Sequence, residues 1–237
     1  MSEKALKFLT TLKPIEIIEH NGLKYSNTQL NQLPEDEPRV FGTKTLASLV
    51  ELIIKENSHD NLNDLIVHVE SPTRVLVVTT LRENLDRFKL YTAEAELPRI
   101  TLGSFLDAEA MNIMLKSTFV ENDTRNVLIA LLGNITEEAV KNTSDDGLSQ
   151  KVVARTGVAS VGNVIPPSIV KLAPYRTFLE VAQPEGEFLL RLKTGPEAAL
   201  FEADGGAWKI EARLNIKEYF VTHLAELITS GKVIVTE

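Results

Sequence analysis

The chain contains no cysteine in 237 residues. That excludes disulfides, thiolate metal ligands and a cysteine nucleophile, and it fits a reducing compartment. Long apolar runs are also missing. The longest, such as residues 127–132, fall far short of the roughly 20 residues a spanning helix needs, so no membrane partner is expected. No apolar segment follows the opening Met-Ser-Glu-Lys, so no secretory signal is expected either. Basic residues are in deficit: the net charge is -8, and all of it comes from residues 1–150, where 23 Asp and Glu face 15 Lys and Arg. Duplex DNA binding rests on neutralising many phosphates, so a duplex DNA partner is not expected. Aromatic residues make up only 6% of the chain, with a single tryptophan.

What is present reads as an ordinary globular composition, 43% hydrophobic and 24% charged, long enough for one large domain or two small ones. Apolar spacing predicts a short helix over residues 3–12, then a β-hairpin turning at Asn21-Gly22, then an exposed acidic loop over 30–39. Thr43 or Thr45 is placed to cap a helix over 45–57 whose stripe is 46, 49, 50, 53 and 54. Strands at 65–70, 74–81 and 87–93 form an antiparallel meander. Two helices follow, over 104–119 (Phe105, Ala108, Met111, Met114 or Leu115, Phe119) and 124–141 (Val127, Leu128, Leu131, Ile135, Ala139).

The polar stretch 142–150 marks the expected boundary between an N-terminal half, 1–144, and a β-rich C-terminal half, 145–237, that ends in a helix. In the second half, strands are expected at 151–156, 168–172, 176–182, 186–193 and 198–203, with an irregular loop over 157–167. Residues 208–216 fit a strand by strict alternation, but the interior EARLNIKE is rich in helix formers, so the longer helical face from Trp208 to Leu227 is preferred. Gly231 stops that helix, and VIVT is a final strand. The fold class expected is α+β, with mixed and antiparallel sheets, packed helices and two subdomains.

No catalytic signature stands out. His20, His59, His68 and His223 lack a second ligand at helical spacing, so no metal is expected. G-x-S-x-G, GxxxxGK[ST] and GxGxxG are absent; Gly157–Gly162 is followed by prolines and no lysine. No cofactor is implied, and the balance is against an enzyme. The stretch 171–209 is the one place that combines flat rings with positive forks: Tyr175, Phe178, Phe188, Phe201 and Trp208 beside Arg176 and Arg191. Guanidinium forks bind phosphate bidentately, aromatic faces stack on bases, and Asp204-Gly205-Gly206 before a helix offers backbone N–H groups to an anion. The alternative is structural: core aromatics, arginines paired with Glu180 and Glu187, and a plain turn. The candidate ligand-binding residues are Arg176, Phe178, Arg191, Asp204, Gly205, Gly206 and Trp208.

Residues 145–153 (DDGLSQKVV), 172–193 (LAPYRTFLEVAQPEGEFLLRLK) and 199–209 (ALFEADGGAWK) resemble the YfdQ-like family of phage and prophage proteins of unknown function. The resemblance implies a phage-encoded viral protein in the cytoplasm of a bacterial host, and it brings no site residues with it. The expectation is a non-enzymatic, homo-oligomeric sponge that sequesters a small anionic, nucleotide-type signal and so evades anti-phage defence. The alternatives are an accessory of phage recombination or replication acting through protein or single-stranded DNA, and a nucleotide-cleaving enzyme.

Overall fold

The computed structural model describes residues 17–20, 23–26, 38–56, 64–82, 85–140, 152–156, 160–164, 167–193, 195 and 197–237. The chain divides into two units, 1–37 and 38–237. In the first, β1 (Ile17–His20) and β2 (Leu23–Ser26) form the expected antiparallel hairpin, Ile17 opposite Ser26 and His20 opposite Leu23. Its Asn21-Gly22 turn, the helix expected over 3–12 and the loop up to residue 37 lie outside the described residues.

The second unit is α+β and holds a mixed five-stranded sheet and an antiparallel four-stranded one. The first sheet uses β3 (Phe41–Thr43), β4 (Leu65–Ser71), β5 (Arg74–Thr79) and β6 (Lys89–Glu94), with α1 (Leu46–Glu56) between β3 and β4. β4, β5 and β6 form the expected antiparallel meander, and β3 adds parallel to β6. One face of this sheet, Leu65, Val67, Val69, Val75 and Val77, is buried against Leu46, Leu49, Val50 and Ile53 of α1. Of the five positions in the α1 stripe only Ile54 turns outward.

The second sheet takes β7 (Leu106–Asp107), β11 (Ile169–Leu172), β12 (Gly186–Lys193) and β13 (Glu197–Glu202) in the order β11-β12-β13-β7. Alternation along β12 buries Phe188, Leu190 and Leu192 against α2 (Ala108–Thr118) and α3 (Asp123–Asn134). Asp107 caps α2 by accepting from the Ala110 N–H at 2.7 Å, and Asn122 does the same for Arg125 at 2.8 Å. Phe119 and Phe188 meet edge to face, 6.2 Å between centroids. Each fully buried side chain of this kind contributes about 1.5–3 kcal/mol. A three-stranded antiparallel sheet contains β8 (Ile135–Val140), β9 (Val152–Thr156) and β10 (Ser160–Val164) in the order β10-β9-β8.

The chain then returns to the first sheet. Helix α4 (Trp208–His223), the short α5 (Ala225–Thr229) and β14 (Val233–Thr236) follow, and β14 pairs parallel to β4 at the sheet edge. Ile216, Phe220, Leu224 and Val233 enter the core under the meander. The helix over 208–216 is thus the element observed. The boundary expected at 144/145 lies outside the described residues. Elements from both sides of it enter each large sheet: β7 joins β13, and β14 joins β4.

Three expectations are corrected. The helical face drawn through Ile135 and Ala139 ends at Asn134, and β8 begins at Ile135; Leu128 is buried as expected, but Val127 is 60% exposed and Arg125 and Leu132 are buried in its place. The loop expected over 157–167 contains β10, whose backbone pairs with β9 despite its glycine. Residues 176–182 are not a strand. Gln183 holds this segment as a loop: its Oε1 accepts from the N–H groups of Arg176 and Thr177 at 3.1 and 3.2 Å, and its Nε2 donates to the Phe178 carbonyl at 2.9 Å. Backbone groups satisfied by a local side chain do not seek a ladder.

Candidate functional site

The loop pinned by Gln183 carries Arg176 inward, where its side chain is only 9% exposed. It donates to Glu202 at the end of β13 at 3.0 Å and lies 3.7 Å from Asp204, itself 12% exposed. The guanidinium carbon lies over Trp208, 4.0 Å from the ring centroid, and 5.7 Å from that of Phe188. Burial pulls its pKa below the usual range, while Asp204 and Glu202 push it back up. Gly186 makes room for this packing: a Cβ there would lie 2.5 Å from an Arg176 nitrogen and 2.7 Å from an Asp204 oxygen.

Of the residues singled out by sequence, Arg176, Asp204 and Trp208 therefore come together. Phe178 does not; it is buried in the core of the five-stranded sheet. Arg191 lies on β12 at odd parity, opposite the face shared by Gly186 and Phe188. Gly205 and Gly206 adopt φ of +62° and +83° in the turn before α4, conformations that favour glycine. The Gly206 N–H goes to Asp204 Oδ1 at 2.9 Å, and the Ala207 N–H to the Asp204 carbonyl at 3.2 Å. Glu187 pairs with Lys171, not with an arginine, and Glu180 accepts from the Leu46 N–H at 2.7 Å, at the start of α1. The notch above Trp208 is small, about 200 Å³, and among its lining residues Glu185, Glu187, Asp204 and Glu211 face one Lys171. That charge balance repels an anion.

A larger cavity, about 650 Å³, opens beside β3. Its walls come from the approach to β3 (Pro38, Arg39, Phe41), the end of α1 (Leu52, Glu56), and the β5–β6 region (Thr79, Arg82, Phe88, Leu90, Tyr91). Local folding explains the arrangement. Parallel pairing sets Phe41 opposite Tyr91, and β3 is too short to bury its aromatic, which stays 59% exposed. Between β5 and β6, Thr79 Oγ1 accepts from the Phe88 N–H at 3.0 Å, which fixes the ring at the mouth. Arg82 lies over that ring at 3.8 Å. The Tyr91 hydroxyl donates to Glu56, so this carboxylate is held within the wall.

Chemically, the cavity offers three rings, an apolar floor of Leu52 and Leu90, and two guanidinium groups at its edge. Such a site suits a ligand with a flat body and an anionic group. Sequence reading missed it because its residues come from three stretches between 38 and 91, none of them dense in aromatics. The one local signal is the pair Arg82 and Phe88 flanking a polar turn. Among the described residues, no three His, Asp or Glu side chains are placed to hold a metal ion, and no helix is long and apolar enough to cross a membrane. Fold and cavity together define an α+β protein with a ligand-sized opening at a sheet edge. No family model, curated protein or solved structure matches the chain.

Proposed function

We propose that this chain is a binding protein that holds a small anionic ligand with a flat ring, of nucleotide type, in the cavity beside β3. The observation that carries the reading is the convergence of Phe41, Phe88 and Tyr91 with Arg39 and Arg82 around a single opening of about 650 Å³, a volume within the usual range for small-molecule sites. Glu56 and the carbonyl end of α1 add negative potential to the wall, so the anionic group is drawn to the two arginines and the ring to the aromatic side. A confined site of this kind works in an acidic protein, because the net charge of -8 acts at longer range and is screened by salt. The resemblance to prophage proteins supports the biological reading: a phage-encoded sponge that keeps a signalling nucleotide from the defence machinery of its bacterial host, without chemistry on it.

The test is a thermal-shift screen of cyclic and ADP-ribose-type nucleotides, followed by heat release and identification of the bound compound. Arg39→Ala should weaken binding by about tenfold, the scale of one charge-assisted contact, with little change in the melting temperature of the free protein; Arg82→Ala should weaken binding as much and also lose the contact with the Phe88 ring. Binding unchanged in both variants, or a released compound that has been cleaved, would overturn the reading.

A further inference from the structure

β14 is an edge strand with, among the described residues, no strand on its outer side. The Lys232 carbonyl accepts from the Leu65 N–H of β4 at 2.8 Å, so the groups of alternate residues, Ile234 and Thr236, also face β4. The N–H and C=O of Val233 and Val235 therefore point away from the sheet. Unpaired edges of this kind are templates for another strand. Ile234 is 48% exposed there, on the sheet face away from α4.

Helix α4 runs above this edge and packs on both β4 and β14. Its outward side carries Ile210, Leu214 and Val221, all exposed, along one strip with Lys217. Lys217 reaches Glu237 beyond the end of β14 at 3.1 Å, which places the strip on the open side of the sheet. On the opposite flank, Asn215 donates to the Ala182 carbonyl, so that side is turned toward the interior. Apolar residues thus lie on both the buried and the open sides of α4, and the inner face alone accounts for the core.

We infer that the open edge of β14 and the outer strip of α4 are one interface, and that its occupant is a second copy of this chain, joined by antiparallel β14–β14 pairing about a two-fold axis. Self-complementarity carries the choice. A two-fold axis perpendicular to the sheet pairs residues of equal parity, and the outward groups of Val233 and Val235 meet the partner's Val235 and Val233, with Ile234 against its own copy on the axis. Helix α4 lies over the gap between β4 and β14, so the two copies of α4 fall about two strand spacings apart, roughly 10 Å. That is the separation at which helices pack, and it brings Ile210, Leu214 and Val221 against their counterparts. The interface is on a different face from the ligand cavity and stands independently of it.

Light scattering during size exclusion should give a dimer for the full chain. Ile234→Lys and Ile234→Glu should each weaken association about tenfold or more through like charges on the axis, and an equal mixture of the two should restore the dimer. Restoration shows that both variants fold. Hydrogen exchange needs no variant: protection of the Val233 and Val235 amides should rise with protein concentration. A monomer at every concentration, a dimer indifferent to both substitutions, or amide protection independent of concentration would overturn the inference.

Discussion

At the scale of single residues, Gly186 and Asp204 decide how a buried guanidinium is tolerated. Arg176 has lost most of its water, and Asp204, Glu202 and the Trp208 face replace it. Gly186→Ala places a methyl group within 3 Å of both members of the buried pair. The expected cost is about 1–3 kcal/mol, read as a lower denaturation midpoint at unchanged slope. Asp204→Asn should lower the denaturation midpoint more than Glu202→Gln, because Asp204 is the less exposed partner of the buried guanidinium. This cluster was partly legible in sequence: Arg176, Asp204 and Trp208 were picked out together by composition, and they do meet. Composition could not show that Arg176 would be neutralised by its own chain, because Glu202 and Asp204 reach it only through the register of β12 on β13. Phe178 and Arg191 were drawn in by proximity alone, and loop geometry and strand parity send them elsewhere.

At the scale of elements, helix α1 shows what sequence can and cannot give. Its stripe was readable from spacing, and Leu46, Leu49, Val50 and Ile53 are buried as that spacing requires. Thr45 was a reasonable cap, and its Oγ1 does accept from the Ser48 N–H at 3.3 Å. The first N–H of the helix instead goes to Glu180, 134 residues away, at 2.7 Å. A carboxylate at a helix N-terminus satisfies an orphan donor and complements the dipole. Glu180→Ala should therefore destabilise by about 1 kcal/mol and speed exchange of the Leu46 amide; exchange unchanged at Leu46 would remove this role from Glu180. The misread elements share a cause. The stretch 176–182 has strand-like composition, but Gln183 takes its backbone bonds. The helical stripe drawn past Asn134 yields to β8, whose partner β9 is distant in sequence. Spacing reports neither a side chain that takes up neighbouring backbone bonds nor a strand partner distant in sequence.

At the scale of the molecule, the division at 144/145 followed a polar stretch, yet the two sheets exchange elements across it. Removing residues 208–237 would strip Ile216, Phe220, Leu224 and Val233 from the core of the first sheet. The expected result is loss of the cooperative unfolding transition, followed by circular dichroism during heating; a sharp transition retained in the shortened chain would show that the meander and α1 suffice. The fold class itself was legible because hairpins, meander and amphipathic helices each declare themselves locally. The pairing of β14 with β4 did not, since it joins stretches more than 160 residues apart.

That pairing has a consequence for how the protein is made. On the ribosome, β4 to β6 emerge early with one edge bare and their hydrophobic side roofed by α1 alone, and they wait in that state while the entire second sheet is synthesised. Closure comes only when α4 and β14 leave the exit tunnel. Over that interval the nascent chain has the strongest need of a chaperone, and synonymous codon changes that slow translation between residues 95 and 207 should lower soluble yield while leaving the stability of the finished protein unchanged.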